Sequence, residues 1–158
     1  CMLEGYADVW LPDLKYVDSA LSLRLSGAGD YFEHAAKAVP EMFRQTGPAR
    51  IGADGTLERG LLIRHLVLPG CRKDSMRVLD WIAQNLPVDQ ILISLMSQYT
   101  PPAGLKGYDD INRRVTTFEY RSVVDRAQTL GLRGFMQERA SAKSEYTPAF
   151  DLTGVKGE

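Results

Sequence analysis

The sequence is poor in the residues from which metal centres and disulfide frameworks are built: 158 residues contain two cysteines and two histidines. Cys1 and Cys71 lie far apart with no local partner, so they cannot make a tetrathiolate site, and a secreted disulfide scaffold would be denser. They read as one terminal thiol and one loop thiol, with no general base placed beside either. His34 and His65 have no metal-type spacing, which leaves an all-protein zinc or iron site without support. Long apolar runs are also missing. No segment reaches membrane-spanning length and the start lacks the basic and apolar regions of a signal peptide, so the expectation is a cytoplasmic protein with no membrane partner. A formal net charge of -1 supplies no general attraction for nucleic acid. Nucleotide fingerprints are absent too, since Ser26-Gly27-Ala28-Gly29 lacks the spacing and strand context of a dinucleotide loop.

What is present is ordinary for one folded domain: 44% apolar and 25% charged residues. The organising stretch is Arg59 to Gly70, RGLLIRHLVLPG, an apolar run interrupted by Arg64 and His65 and ended by Pro-Gly. Its length and its Leu, Ile and Val content predict a strand buried on both faces, as a parallel sheet with helical cover requires. A second such strand is expected over Gln90 to Gln98, and a short first strand over Ala7 to Leu11, with Pro12 marking its end or a bulge.

Helices are expected between these strands. Asp18 reads as a cap for one running to about Leu25 and closed by Ser26 and Gly27, and another spans about Asp30 to Thr46, where Pro40 argues for a break into two pieces. Asp54-Gly55 marks a loop turn or a minor hairpin between Ile51 and Leu57. Asp74 reads as the N-cap of a helix to about Gln84. Thr116 or Thr117 caps a later helix, with Glu119 completing a capping-box pattern and Gly131 ending it. A last short strand is expected over Gly134 to Gln137, and from about Arg139 onward a tail. The result is an α/β fold of about four mostly parallel strands with covering helices, a domain over 1–138 and an extension over 139–158. Four strand-helix units cannot close an eight-stranded barrel.

Polar residues gather near the predicted C-terminal strand ends, where parallel sheets form a shared crevice. Asp13 and Lys15 share a face in extended geometry and suit a common ligand, or else form a solvated turn. Arg64 offers a guanidinium fork for an oxygen ligand, or else pairs with a helix carboxylate. His65 points to the other face as a packed, hydrogen-bonded histidine, and His34 belongs to the surface or a helix cap. Ser94, Ser97 and Gln98 end the later strand, while Arg113, Arg114 and Arg121 read as a solvated helix face.

The segments VWLPDLKY (9–16), IRHLVLPG (63–70), SLMSQYTPP (94–102) and NRRVTTFEY (112–120), in this order, resemble the radical S-adenosylmethionine proteins related to pyruvate formate-lyase activating enzyme. The resemblance covers about Gly5 to Gln137. It implies the C-terminal part of a partial (β/α)6 barrel, TIM-like in build, whose complete form holds a [4Fe-4S] cluster and cleaves S-adenosylmethionine to a radical that abstracts hydrogen. In the activating-enzyme branch the hydrogen comes from a glycine of a glycyl radical enzyme, and the electron from a reductant such as flavodoxin or ferredoxin.

By the same resemblance Asp13 and Lys15 match the family's Asp-x-Lys pair, near the methionine part of the cofactor or the incoming peptide, with Asp13 a candidate ligand for a monovalent cation. Arg64 matches the strand arginine that helps hold the cofactor, and Gln98 stands where the family carries a histidine. The Cys-x-x-x-Cys-x-x-Cys loop that binds the cluster is missing, and Cys1 cannot replace three ligands. Neither cluster nor cluster ligands are therefore expected in this chain, which should be inactive alone and looks cut from something longer. The alternative is a non-catalytic α/β binding or protein-interaction domain. Either way an unpaired strand edge at the N-terminal side would favour dimerisation.

Overall fold

The computed structural model describes residues 3–103 and 105–136. Its elements are β1 (Val9–Trp10), α1 (Ser19–Ser26), α2 (Tyr31–Thr46), β2 (Arg50–Ile51), β3 (Leu57–Leu66), α3 (Arg72–Asn85), β4 (Leu92–Met96), α4 (Thr117–Thr129) and β5 (Gly134–Met136). Four parallel strands lie side by side in chain order, β1-β3-β4-β5, and β2 pairs antiparallel with the start of β3. The fold is thus α/β with a mostly parallel sheet. Of the two readings of Asp54-Gly55, the hairpin is the one formed: Gly52 donates to the Thr56 carbonyl at 2.8 Å and the Asp54 carboxylate accepts the Thr56 amide at 2.9 Å.

All the larger helices pack on one face of the sheet. Leu61, Ile63 and Val67 point into a core with Ile91, Ile93 and Leu95, against Val39 of α2, Leu79 and Ile82 of α3, and Val123 and Ala127 of α4. Each fully buried Val, Leu or Ile among these contributes about 1.5–3 kcal/mol over leaving it in water. The expectation that β3 is buried on both faces does not hold. Its burial alternates, with Leu62 and Leu66 half-buried and Arg64 exposed on the side without helices, where Ser94 and Met96 are also only half-buried. The physical reason is that each crossover helix returns on the same side, so among the described residues one sheet face receives all the helical cover and the other none. Leu11 and Phe135, 51% and 55% exposed, stand in register with that open face.

Three further expectations change. Pro40 lies inside one continuous helix, because it removes a single amide donor while Phe32, Ala35, Val39, Met42 and Phe43 hold both halves against the core. Asp74 is not the N-cap of α3. Cys71 occupies that position and Asp74 sits in the first turn, buried, where its carboxylate accepts the Val17 and Asp18 amides at 3.1 and 3.0 Å. The later strand is shorter than expected, Leu92–Met96, since its edges turn into loops.

The other caps follow local chemistry. Asp18 accepts the Leu21 amide at 2.9 Å, and Gly27 closes α1 in the left-handed region with φ 70. Thr116, rather than Thr117, caps α4 in a reciprocal capping box with Glu119. Gly134 opens β5 at φ +146, where a Cβ would lie 2.0 Å from the Ile93 carbonyl oxygen, so only glycine lets β5 approach β4 here. The strand expected to reach Gln137 is described as far as Met136, and the expected tail and extension lie outside the described residues.

Candidate functional site

The ladder between β1 and β3 continues past Pro12. Arg64 donates its amide to the Pro12 carbonyl and Leu14 donates to the Arg64 carbonyl, both at 2.9 Å, so the chain uses the proline only as an acceptor and needs no donor from it. This brings Asp13 beside Arg64, with Ser94 and then Phe135 next along the same row across the open face. Parallel partners point to the same side, and the row therefore presents a carboxylate, a guanidinium, a hydroxyl and an aromatic ring in line.

Asp13 is shared by two cations. The Arg64 guanidinium lies 2.7 Å from its Oδ1 and the Lys15 ammonium 3.5 Å from its Oδ2. Oδ1 is shut off from solvent, and the guanidinium reaches it at an angle that makes an ion pair but not a hydrogen bond. The cluster holds two positive groups and one negative group. Asp13 and Lys15 thus share one face, as their spacing suggested, and Arg64 joins them, its carboxylate partner being Asp13 rather than a helix residue.

The backbone that carries these side chains is held from behind. The Tyr31 hydroxyl donates to the Asp13 carbonyl at 2.7 Å and accepts the Lys15 amide at 3.0 Å. His65, buried on the helix side, donates Nδ1–H to the Leu14 carbonyl at 2.7 Å. Burial lowers its basicity, only partly offset by that bond, so the ring stays neutral and Nε2 is left without a partner among the described residues. This is the packed, hydrogen-bonded role expected of His65. His34 is exposed and pairs with Asp30 at the start of α2.

Gln98 is not brought into this cluster. It is exposed beyond the end of β4, with its amide 3.9 Å from the Met96 sulfur. Arg113 is not simply a solvated residue either, as was expected of it. Its guanidinium makes two bonds to Glu119, at 2.7 and 2.9 Å, because the Glu119 carboxylate is nearly buried and needs a charge partner. Glu119 also accepts the Gly70 amide at 2.7 Å, which ties the turn after β3 to α4. Arg113, with the Thr116 and Gly70 amides, holds its carboxyl well below the usual range against the opposing effect of burial.

Cys71 is half-buried, and burial together with the carboxylates of Asp110 and Asp74 pushes its thiol up to about 11. It is therefore a poor thiolate at neutral pH. Among the described residues no group of three His, Cys, Asp or Glu side chains gathers to hold a metal ion. No described helix is long and apolar enough to cross a membrane.

Next to Lys15 opens a cavity of about 400 Å³, walled by Tyr16, Leu66, Leu68, Tyr99 and Tyr108 and bordered by Arg24 of α1. Arg24 makes two bonds to Asp110, one at 2.9 Å, and its guanidinium lies 5.1 Å from the centre of the Tyr108 ring. Tyr31, Asp74 and the bond from Glu119 to Gly70 were not visible as site-building features in the sequence. Each acts through a hydrogen bond to backbone distant in the chain, which leaves no local pattern.

These features define an α/β protein with its polar cluster at the C-terminal side of a mostly parallel sheet that the described helices cover on one face. The chain is similar to an uncharacterized protein of Methanocaldococcus jannaschii, 30% identical over 134 residues, which cover 83% of this chain and 34% of the archaeal protein. The chain thus spans about a third of the length of the curated relative it matches. No family model matches the sequence. No solved structure matches it.

Proposed function

We propose that the chain is the C-terminal part of a radical S-adenosylmethionine enzyme of the pyruvate formate-lyase activating type, its sheet forming part of a partial (β/α)6 barrel. The observation that carries this reading is the Asp13–Arg64–Lys15 cluster on the uncovered face of a sheet whose parallel strands follow one another in chain order. Sequential order with helices on one side is how barrels are wound, and an inward face is the one such a fold leaves free of helices. A sheet this largely parallel is normally covered on both faces, so Leu11, Leu62 and Phe135 call for cover from other segments. Correspondence to only 34% of a longer protein is compatible with that.

The residues fit one of the two implied groups. S-Adenosylmethionine carries a carboxylate that Arg64 or Lys15 would hold, and Asp13, whose Oδ1 is closed off behind Arg64, would hold an ammonium through its Oδ2 side. When bound, that group supplies the radical chemistry for hydrogen abstraction. Arg64 and Lys15 orient it, Asp13 keeps the two cations from repelling each other, and Tyr31 and His65 keep the Asp13–Lys15 backbone in place. The [4Fe-4S] cluster does not fit these residues: two cysteines cannot supply three thiolates, and the Cys71 thiol is pushed up to about 11. On this reading the cluster ligands come from outside the 158 residues. A glycyl radical enzyme or another protein is the proposed substrate, and a flavodoxin or ferredoxin the proposed reductant.

The test is anaerobic reconstitution of the full-length protein, followed by iron analysis and an S-adenosylmethionine cleavage assay. Four irons per chain and release of 5'-deoxyadenosine are expected. Absence of both would overturn the assignment and favour a binding or interaction module built on the same sheet.

A further inference from the structure

We propose that the cavity beside Lys15 is a binding subsite for a small organic acid with an aromatic or branched apolar body. Its volume of about 400 Å³ falls in the range of ligand pockets, and its walls are apolar, with Leu66, Leu68, Tyr99 and Tyr108 presenting carbon surface. Such walls bind an apolar body and exclude water from the polar contact at its rim.

The charge at that rim decides the ligand class. Arg24 is already neutralised by Asp110 and stacked on Tyr108, so it serves as wall. Lys15 differs, because its carboxylate partner Asp13 stands 3.5 Å away and is held more closely by Arg64 at 2.7 Å. Two cations share one carboxylate, and the unmatched positive charge borders the cavity through Lys15. A carboxylate on the ligand completes the pairing through a charge-assisted hydrogen bond. A ligand amine would meet like charge there. The subsite shares Lys15 with the proposed cofactor site, but binding measured without cofactor or cluster does not depend on the radical chemistry, so the two readings fail separately.

Indole-3-acetate and its neutral isostere indole-3-acetamide are the probes, titrated calorimetrically into the full-length protein without cofactor. The acid is expected to bind saturably and roughly five-fold more tightly than the amide, with the preference shrinking in high salt. Lys15→Met should abolish the preference while leaving amide affinity within about two-fold, since only the charge is removed. Leu25→Trp, placed at the cavity lining, should weaken both probes. Should that variant fail to fold, Leu66→Phe serves the same purpose. Equal affinity for the two probes, no saturable binding of either, a preference that survives Lys15→Met, or binding indifferent to the filling variant overturns the proposal.

Discussion

Tyr31 and Asp13 are joined across the sheet-helix boundary: the phenol of α2 donates to the Asp13 carbonyl at 2.7 Å, and the same oxygen receives the Lys15 amide at 3.0 Å. One side chain thus satisfies backbone groups on both sides of Leu14, and a third bond, from His65, satisfies Leu14 itself. Asp13 and Lys15, which carry candidate chemistry, are positioned through their backbone by groups that do not belong to the open face. Tyr31→Phe removes both bonds and keeps the ring. The expected cost is about 1–2 kcal/mol of stability by urea unfolding, with S-adenosylmethionine cleavage by the reconstituted full-length protein falling further than the lost stability explains.

Arg64 meets Asp13 through one nitrogen of its planar guanidinium, from an exposed position. Arg64→Lys keeps the charge and loses the fork, and should lower S-adenosylmethionine cleavage by about ten-fold or more while the melting temperature changes little. Retained cleavage in this variant would remove Arg64 from the proposed cofactor site.

Glu119 gathers the Gly70 amide, the Thr116 amide and hydroxyl, and Arg113. Its carboxyl is depressed from an ordinary value of about 4.5, so the folded state releases that proton more readily than the unfolded chain. The associated stability is present above the ordinary glutamate range and is lost as pH falls through it toward the depressed folded value. Glu119→Gln should cost roughly 2–3 kcal/mol at neutral pH, allowing for solvent screening at exposed Arg113, and should flatten the acid limb of a stability-against-pH curve followed by circular dichroism.

With its thiol pushed up to about 11, Cys71 is about one ten-thousandth thiolate at pH 7. Alkylation by iodoacetamide, read at Cys71 by peptide mass spectrometry, should be slow at neutral pH and rise steadily to alkaline pH without a plateau near pH 8.5. A neutral-pH plateau would show an activated thiol instead.

Much of the layout was legible because it depends on neighbours in the chain. The apolar runs around Ile63 and Ile93 are strands, Asp18 and Gly27 bound α1, and Thr116 with Glu119 opens α4, all within reach of local propensity and capping chemistry. The two-residue spacing of Asp13 and Lys15 likewise suggested a shared face, and in the structure the two side chains stand 3.5 Å apart. Pro40 misled, since its local cost is outweighed by a helix face packed into the core.

By itself, then, the sequence determined an α/β chain of short strands and capped helices with Asp13, Lys15 and Arg64 near strand ends. Only tertiary structure decided that β3 has one covered and one open face, because an apolar run does not record on which side the helices return. It alone decided that Asp74 caps the backbone of Val17 and Asp18, that Glu119 reaches Gly70, and that Tyr31 and His65 grip the segment between Asp13 and Lys15. Those contacts span many residues, and a hydrogen bond to remote backbone depends on where two elements are brought together rather than on the residues beside either partner.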